Sequence, residues 1–174
     1  MLTMDQIKTR VARAAPMVEL GARATRVVHS APVTLRGAPG SLLAFAAARM
    51  FEERPGQLLL IASDEDRAEK LRDDCALLLG ESSVKFFGAR PTHRAQTLDM
   101  SSSIAQIETL KALSGGSKML VLASPQSIAE KVPPPEEFRN TVIEIRAHEA
   151  YPFQKVIDRL SELGFERKSF VESY

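Results

Sequence analysis

The chain has 174 residues, with 23 Lys and Arg against 22 Asp and Glu, one Cys, no Trp and 44% apolar residues. That length suits one α/β domain of roughly 100–150 residues with about 30 left over, and a formal charge of +1 excludes a globally basic nucleic-acid binder and an acidic mimic. The single thiol, Cys75, excludes an internal disulfide and a cysteine zinc site; no signal peptide opens the chain, and the longest apolar runs, Leu42 to Ala48 and Leu58 to Ala62, fall short of the roughly 20 residues that span a bilayer, so the reading is a soluble cytoplasmic protein with no membrane partner.

Ile7, Val11 and Ala14 sit at helical spacing after Asp5, which predicts an amphipathic helix near 4–15 ended by Pro16, with a second helix after it. This leader is basic: residues 1–36 carry six basic side chains against two acidic ones. A solvated face explains the excess, and a leader that docks on a partner or on nucleic acid is the sharper reading. Val33 to Leu35 reads as a short strand entering the turn Gly37-Ala38-Pro39-Gly40, and Leu42, Leu43, Phe45, Ala46 and Met50 predict a helix that stops before Pro55-Gly56.

Gln57 to Ala62 is a continuous apolar run between turn signals, the pattern of a strand buried on both faces of a parallel sheet. Ser63 or Asp64 caps the next helix, whose buried stripe is Ala68, Leu71, Cys75 and Leu78 and whose stop is Gly80. Residues 52–81 hold nine acids against four bases, so this acidic stretch nearly cancels the basic leader. Val84 to Phe87 predicts a short strand, and Gly88 to Asp99 is polar and without period. Ser101-Ser102-Ser103 reads as capping ahead of a helix with Ile104, Ile107, Leu110 and Leu113 on its apolar face, closed by Gly115-Gly116.

Met119 to Ala123 is the next buried strand, and Ser124 or Ser127 opens a short helix before Pro133-Pro134-Pro135. Strand and helix in alternation, with apolar strands, predict a parallel sheet with helices on both faces. After the prolines, Thr141 to Ile145 alternates as a half-wet strand, followed by a helix near 152–163 and a strand from Phe165 to Val171. The predicted organisation is a basic helical leader (1–30), an α/β domain (31–138) and the start of a second small α+β domain (139–174). Glu172-Ser173-Tyr174 follows a strand pattern with no turn or cap, which reads as a cut.

The segment Gly37-Ala38-Pro39-Gly40-Ser41-Leu42-Leu43-Ala44 occupies the place of a phosphate loop. Such a loop needs G-x-x-x-x-G-K-[ST]: glycines let N–H groups approach phosphate, Lys neutralises charge, and the hydroxyl ligates magnesium. Here Leu42, Leu43 and Ala44 replace the Gly, Lys and hydroxyl residue, so nucleotide binding is not expected and the loop reads as a degenerate relic or an ordinary connection. Leu58 to Asp66 superficially resembles a Walker B strand, yet a capped helix with an acidic first turn explains its acids. His29, His93 and His148 are too dispersed for a metal set. Cys75 lies on an apolar stripe and reads as a small buried hydrophobe. No G-x-S-x-G elbow supports a serine hydrolase.

The degenerate loop, the strand Leu58 to Ala62, Met119-Leu120-Val121-Leu122-Ala123-Ser124, Val132-Pro133-Pro134 and Leu163-Gly164-Phe165-Glu166-Arg167 through Val171-Glu172 occur in an order that resembles the N-terminal part of the bacterial transcription-repair coupling factor (Mfd) family, the module similar to the excision-repair protein UvrB. The resemblance covers about residues 30–174 and implies a RecA/UvrB-like domain with a degenerate phosphate loop, followed by a UvrA-binding type of second domain. It implies no catalytic residue, metal or cofactor in this stretch; ATP and magnesium belong to a motor further downstream, and RNA polymerase and DNA contact downstream domains. The implied role is a scaffold that brings UvrA and nucleotide excision repair to stalled RNA polymerase. Arg159, Arg167 and Lys168 are the candidate partner-binding residues. The chain departs from the family at Gly88-Ala89-Arg90-Pro91-Thr92, where many members carry Leu-Pro-Tyr, and lacks the family's G-[DE]-[FY]-x-x-R-G segment.

Two other classes compete. A small-ligand α/β enzyme would place its site at the carboxyl ends of the strands, near Ser63, Gly88 and Ser124. A DNA-binding fragment led by the basic leader would bind in a strongly salt-dependent way.

Overall fold

Three short apolar runs, two of them followed directly by a capped helix, form the sheet. In the computed structural model, which describes residues 3–26, 34–89, 100–141 and 150–168, they are strands β1 (Gln57–Ile61), β2 (Val84–Phe87) and β3 (Met119–Ala123). All pair in parallel in the order β1-β3-β2, with Leu59 opposite Val121 and Phe86 opposite Leu122. Parallel pairing needs crossovers. Helix α4 (Glu65–Leu79) makes the first, and α5 (Met100–Ser114) lies between β2 and β3.

The central strand β3 is buried along its whole length, and its alternate residues serve two cores. Leu120 and Leu122, with Leu58 and Leu60 of β1 and Val84 of β2, pack against α3 (Leu42–Glu53) and α4. Met119, Val121 and Ala123 face the other way, with Phe87, onto Leu110 and Leu113 of α5. Truncating Leu120 or Leu122 to Ala removes methyls from a site without exposed surface, at about 2–5 kcal/mol. The fold is therefore α/β, with a three-stranded parallel sheet covered by helices.

The edge strand corrects one expectation. β1 is not buried on both faces: Leu58 and Leu60 face the first core, while Leu59 and Ile61 are 54% and 50% exposed. Helix α5 covers β2 and β3, and no described element covers this face of β1. A continuous apolar run does not say how far a neighbouring helix extends across the sheet.

Helix boundaries follow their caps. Helix α1 (Met4–Ala12) starts with Thr3 and Gln6 in a reciprocal capping box. Pro16 sits in the first turn of α2 (Ala15–Arg26) rather than ending α1 by itself, a position where its missing N–H has no partner to lose. The α2 residues Met17 and Leu20 bury themselves against Ala46 of α3, and Lys8 of α1 donates to the Leu78 carbonyl at the end of α4 (2.6 Å). Asp64 caps α4 through the Arg67 N–H (2.8 Å), and Gly80, at φ +85°, ends it. The predicted stripe Ala68, Leu71, Cys75, Leu78 is buried.

The buried face of α5 differs from the predicted one. Leu110 and Leu113 pack inward, but Ile104 and Ile107 are 52% and 50% exposed, while Gln106 and Thr109 are 2% and 1% exposed. A strict spacing of three slips about 60° around a helix per step, so the four apolar residues cannot share one face. Ser101 to Ser103 fall within the first turn of α5, not ahead of it.

The chain divides into two units, Met1–Lys131 and Val132–Tyr174. The second contains α7 (Pro135–Thr141) and α8 (Phe153–Glu162); the first ends with the four-residue α6 (Pro125–Ile128). Thr141, predicted to begin a strand, is the last residue of α7, and residues 142–145 lie outside the described residues. Phe165 to Lys168 form no strand, and the remainder of that predicted strand also lies outside them.

Candidate functional site

Two places were weighed for chemistry: the loop at 37–44, where nucleotide binding was not expected, and the carboxyl ends of the strands. In the loop, Gly37 and Gly40 adopt left-handed φ of +71° and +56°, which favours glycine. A Cβ at either position would meet nothing within 4 Å, so the glycines serve the turn itself rather than a close approach. Ser41 precedes α3 without a side-chain cap. Three of the first four N–H groups of the helix are already in use: Leu42 donates to Pro39 O (3.2 Å), and Ala44 and Phe45 donate to Ser41 O (3.0 and 3.2 Å). A phosphate loop leaves such donors for its ligand.

The three replacement side chains are packing residues. Ala44 is fully buried in the sheet-facing core, Leu43 packs against that core, and Leu42 packs against Met17, Leu20 and Ala46. Thr34 and Leu35 run into the turn outside any strand, and Val33 lies outside the described residues.

At the strand ends, the structure brings Gly88 and Ser124 together through Glu65, the first residue of α4. Its Oε1 accepts from the Ala89 N–H (2.7 Å) and its Oε2 from the Ser124 hydroxyl (2.9 Å). Gly88 makes the approach possible: a Cβ there would lie 2.7 Å from Glu65 Oε1 and 2.9 Å from the Phe86 ring. The Gly88 carbonyl in turn accepts from Gln106 Nε2 (2.6 Å), which also donates to Glu130 Oε2 (3.2 Å). Ser124 caps α6, accepting from the Ser127 N–H, while the Ser127 hydroxyl accepts from the Ser124 N–H.

Ser63 stands outside this cluster. Its hydroxyl donates to Asp64 Oδ2 (2.7 Å), and this bond, followed by the Arg67 N–H, holds the Asp64 carboxyl below its ordinary range. The predicted capping role of Asp64 is thus observed. Both oxygens of Glu65 are engaged, and Ser124 has no exposed surface, so the cluster ties three strand ends together and presents no accessible nucleophile.

Sequence reasoning missed Glu65, Gln106, Thr109 and Glu130. The available signal was the i, i+3, i+4, i+7 set Gln106, Thr109, Leu110, Leu113, which shares one helix face. Thr109 donates to the Ala105 carbonyl (2.8 Å), satisfying its buried hydroxyl.

Of the candidate partner residues, Arg159 lies on α8, paired with Glu162 (2.7 Å) and donating to the Asn140 carbonyl. Arg167 and Lys168 are exposed in the segment after α8. The three histidines lie outside the described residues. Among the described residues no group of three His, Cys, Asp or Glu is arranged to hold a metal, and no helix is long and apolar enough to cross a membrane. Compared with protein-family models, curated proteins and solved structures, the chain matches none of them.

Proposed function

We propose that this chain is a non-catalytic interaction module of the kind found in the N-terminal part of transcription-repair coupling factors, a cytoplasmic scaffold that recruits UvrA and nucleotide excision repair to stalled RNA polymerase. The observation that carries the non-catalytic half is the fate of Leu42, Leu43 and Ala44. They fill the core at the positions where a phosphate loop keeps its Gly, Lys and hydroxyl, and internal carbonyls already accept from three of the first four N–H groups of α3. On this reading ATP and magnesium serve a motor elsewhere in the parent protein, and the contact to UvrA runs through the second unit, where Arg159, Arg167 and Lys168 lie. The competing small-ligand enzyme has less support, because the polar groups gathered at the strand ends bond to one another.

Titration calorimetry with ATP and magnesium tests the loop. No heat of binding is expected; micromolar binding that disappears in Gly40→Val would overturn the relic reading. For the partner, UvrA is expected to bind a chain continued past Tyr174 by about fifty residues, the lower range of domain size, more tightly than residues 1–174. Absence of binding by both would sink the scaffold assignment.

A further inference from the structure

The basic leader forms a groove. Ile7 and Val11 of α1, Ala14 in the sharp turn, Met17 of α2 and Leu42 of α3 line an open apolar hollow of about 340 Å³, with Arg10 on its wall. Arg10 and Arg13 share the adjoining surface of α1. Neither guanidinium forms an ion pair with a described residue, whereas Arg23 and Arg49 are each paired with a Glu four residues away. Asp5 is the one acidic side chain on α1. The apolar stripe continues to the exposed Met4, one turn before Ile7.

We propose that this groove receives an amphipathic helix with acidic flanks, supplied by a partner protein. Two observations select that occupant. The walls are helices, which offer no strand edge, so recognition falls to side chains, the helix-in-groove mode. The rim carries two cations, Arg10 and Arg13, against the single acid Asp5, so glutamates or aspartates set beside the two arginines give complementary charge. Nucleic acid fits less well: two arginines supply few phosphate contacts, and an apolar floor offers a duplex nothing. The proposal stands apart from the scaffold assignment above, since this groove lies on α1, α2 and the start of α3 and makes no use of the second unit.

The 174-residue chain titrated with synthetic helical peptides tests it, followed by fluorescence anisotropy and by methyl NMR of Ile7, Val11 and Met17. The probe carries Leu at i, i+4 and i+7 with flanking Glu. One control replaces Glu by Lys and another replaces Leu by Ala. The acidic amphipathic peptide is expected to shift the three methyl signals and to bind at least about tenfold more tightly than either control. In Arg10→Glu/Arg13→Glu the preference should invert toward the Lys peptide; both positions are exposed and form no ion pair with a described residue, and circular dichroism verifies that the variant is folded. No methyl shifts, equal affinity for the two charge versions, or tighter binding of a short DNA duplex than of the acidic peptide would overturn the proposal.

Discussion

Cys75 sits without exposed surface in the core formed by α3, α4 and the sheet. Burial first, and the nearby Asp74 carboxylate second, push its thiol up to about 11 from an ordinary value of 9.0. Between these values the unfolded chain gives up a proton that the folded chain keeps, so folding stability is complete below about pH 9 and falls as the pH rises toward 11. Urea unfolding at pH 7.5 and at pH 10.5 is expected to show a lower midpoint at the higher pH, with much of that difference lost in Cys75→Ala. At pH 8 iodoacetamide should leave the folded protein unmodified and react once urea exposes the thiol. Rapid modification of the folded protein would contradict the buried placement. Asp64 has the opposite sign: its lowered pKa favours the folded state above 3.8, and that contribution is lost as the pH falls below it.

Helix α5 separates hydrophobicity from burial. Gln106 reaches the Gly88 carbonyl and Glu130, so Gln106→Ala removes a donor from two part-buried acceptors, a cost of about 1–3 kcal/mol. Ile107→Gln changes a half-exposed side chain and is expected to stay within about 0.5 kcal/mol. Chemical denaturation of the two variants checks the ranking, and the reverse order would mean that the helix is rotated. This helix also marks how far the sequence could be read. The three strands of the sheet, the Asp64 and Ser124 caps and the α4 stripe were legible, because turn residues, caps and a 3.6-residue period act locally, whereas the strands expected at Val33 to Leu35, from Thr141 and from Phe165 were not found among the described residues. The inward face of α5 was not, since Gln106 and Thr109 are buried by partners 18 to 24 residues away. The open face of β1 was hidden for the same kind of reason: its exposure depends on where a later helix lies. In the loop at 37–44, Leu42 to Ala44 already showed that no Lys or hydroxyl stands where a phosphate loop would need them. Glu65 gave no sign of joining Ala89 to Ser124, because an acid in a first helical turn has the same local reason to be there whatever it touches.

At the scale of the whole chain, the three buried clusters all lie within Met1–Lys131. The connection after α6 runs through Val132-Pro133-Pro134 outside any helix or strand. A fragment of residues 1–131 therefore keeps its sheet, both cores and the tie at Glu65, and it should unfold in one cooperative transition. The leader is part of that unit: Met17 and Leu20 cover Ala46, and Lys8 bonds to the end of α4 while lying 3.8 Å from Glu52. Removing residues 1–26 would expose the outer side of α3, losing the burial of two large side chains at about 1.5–3 kcal/mol each. Thermal unfolding of 1–131 and 27–131 measures this, with a lower midpoint expected for the shorter fragment. Equal midpoints would show that α1 and α2 add nothing to the domain, and a leader so loosely held could not shape the groove between Ile7 and Leu42.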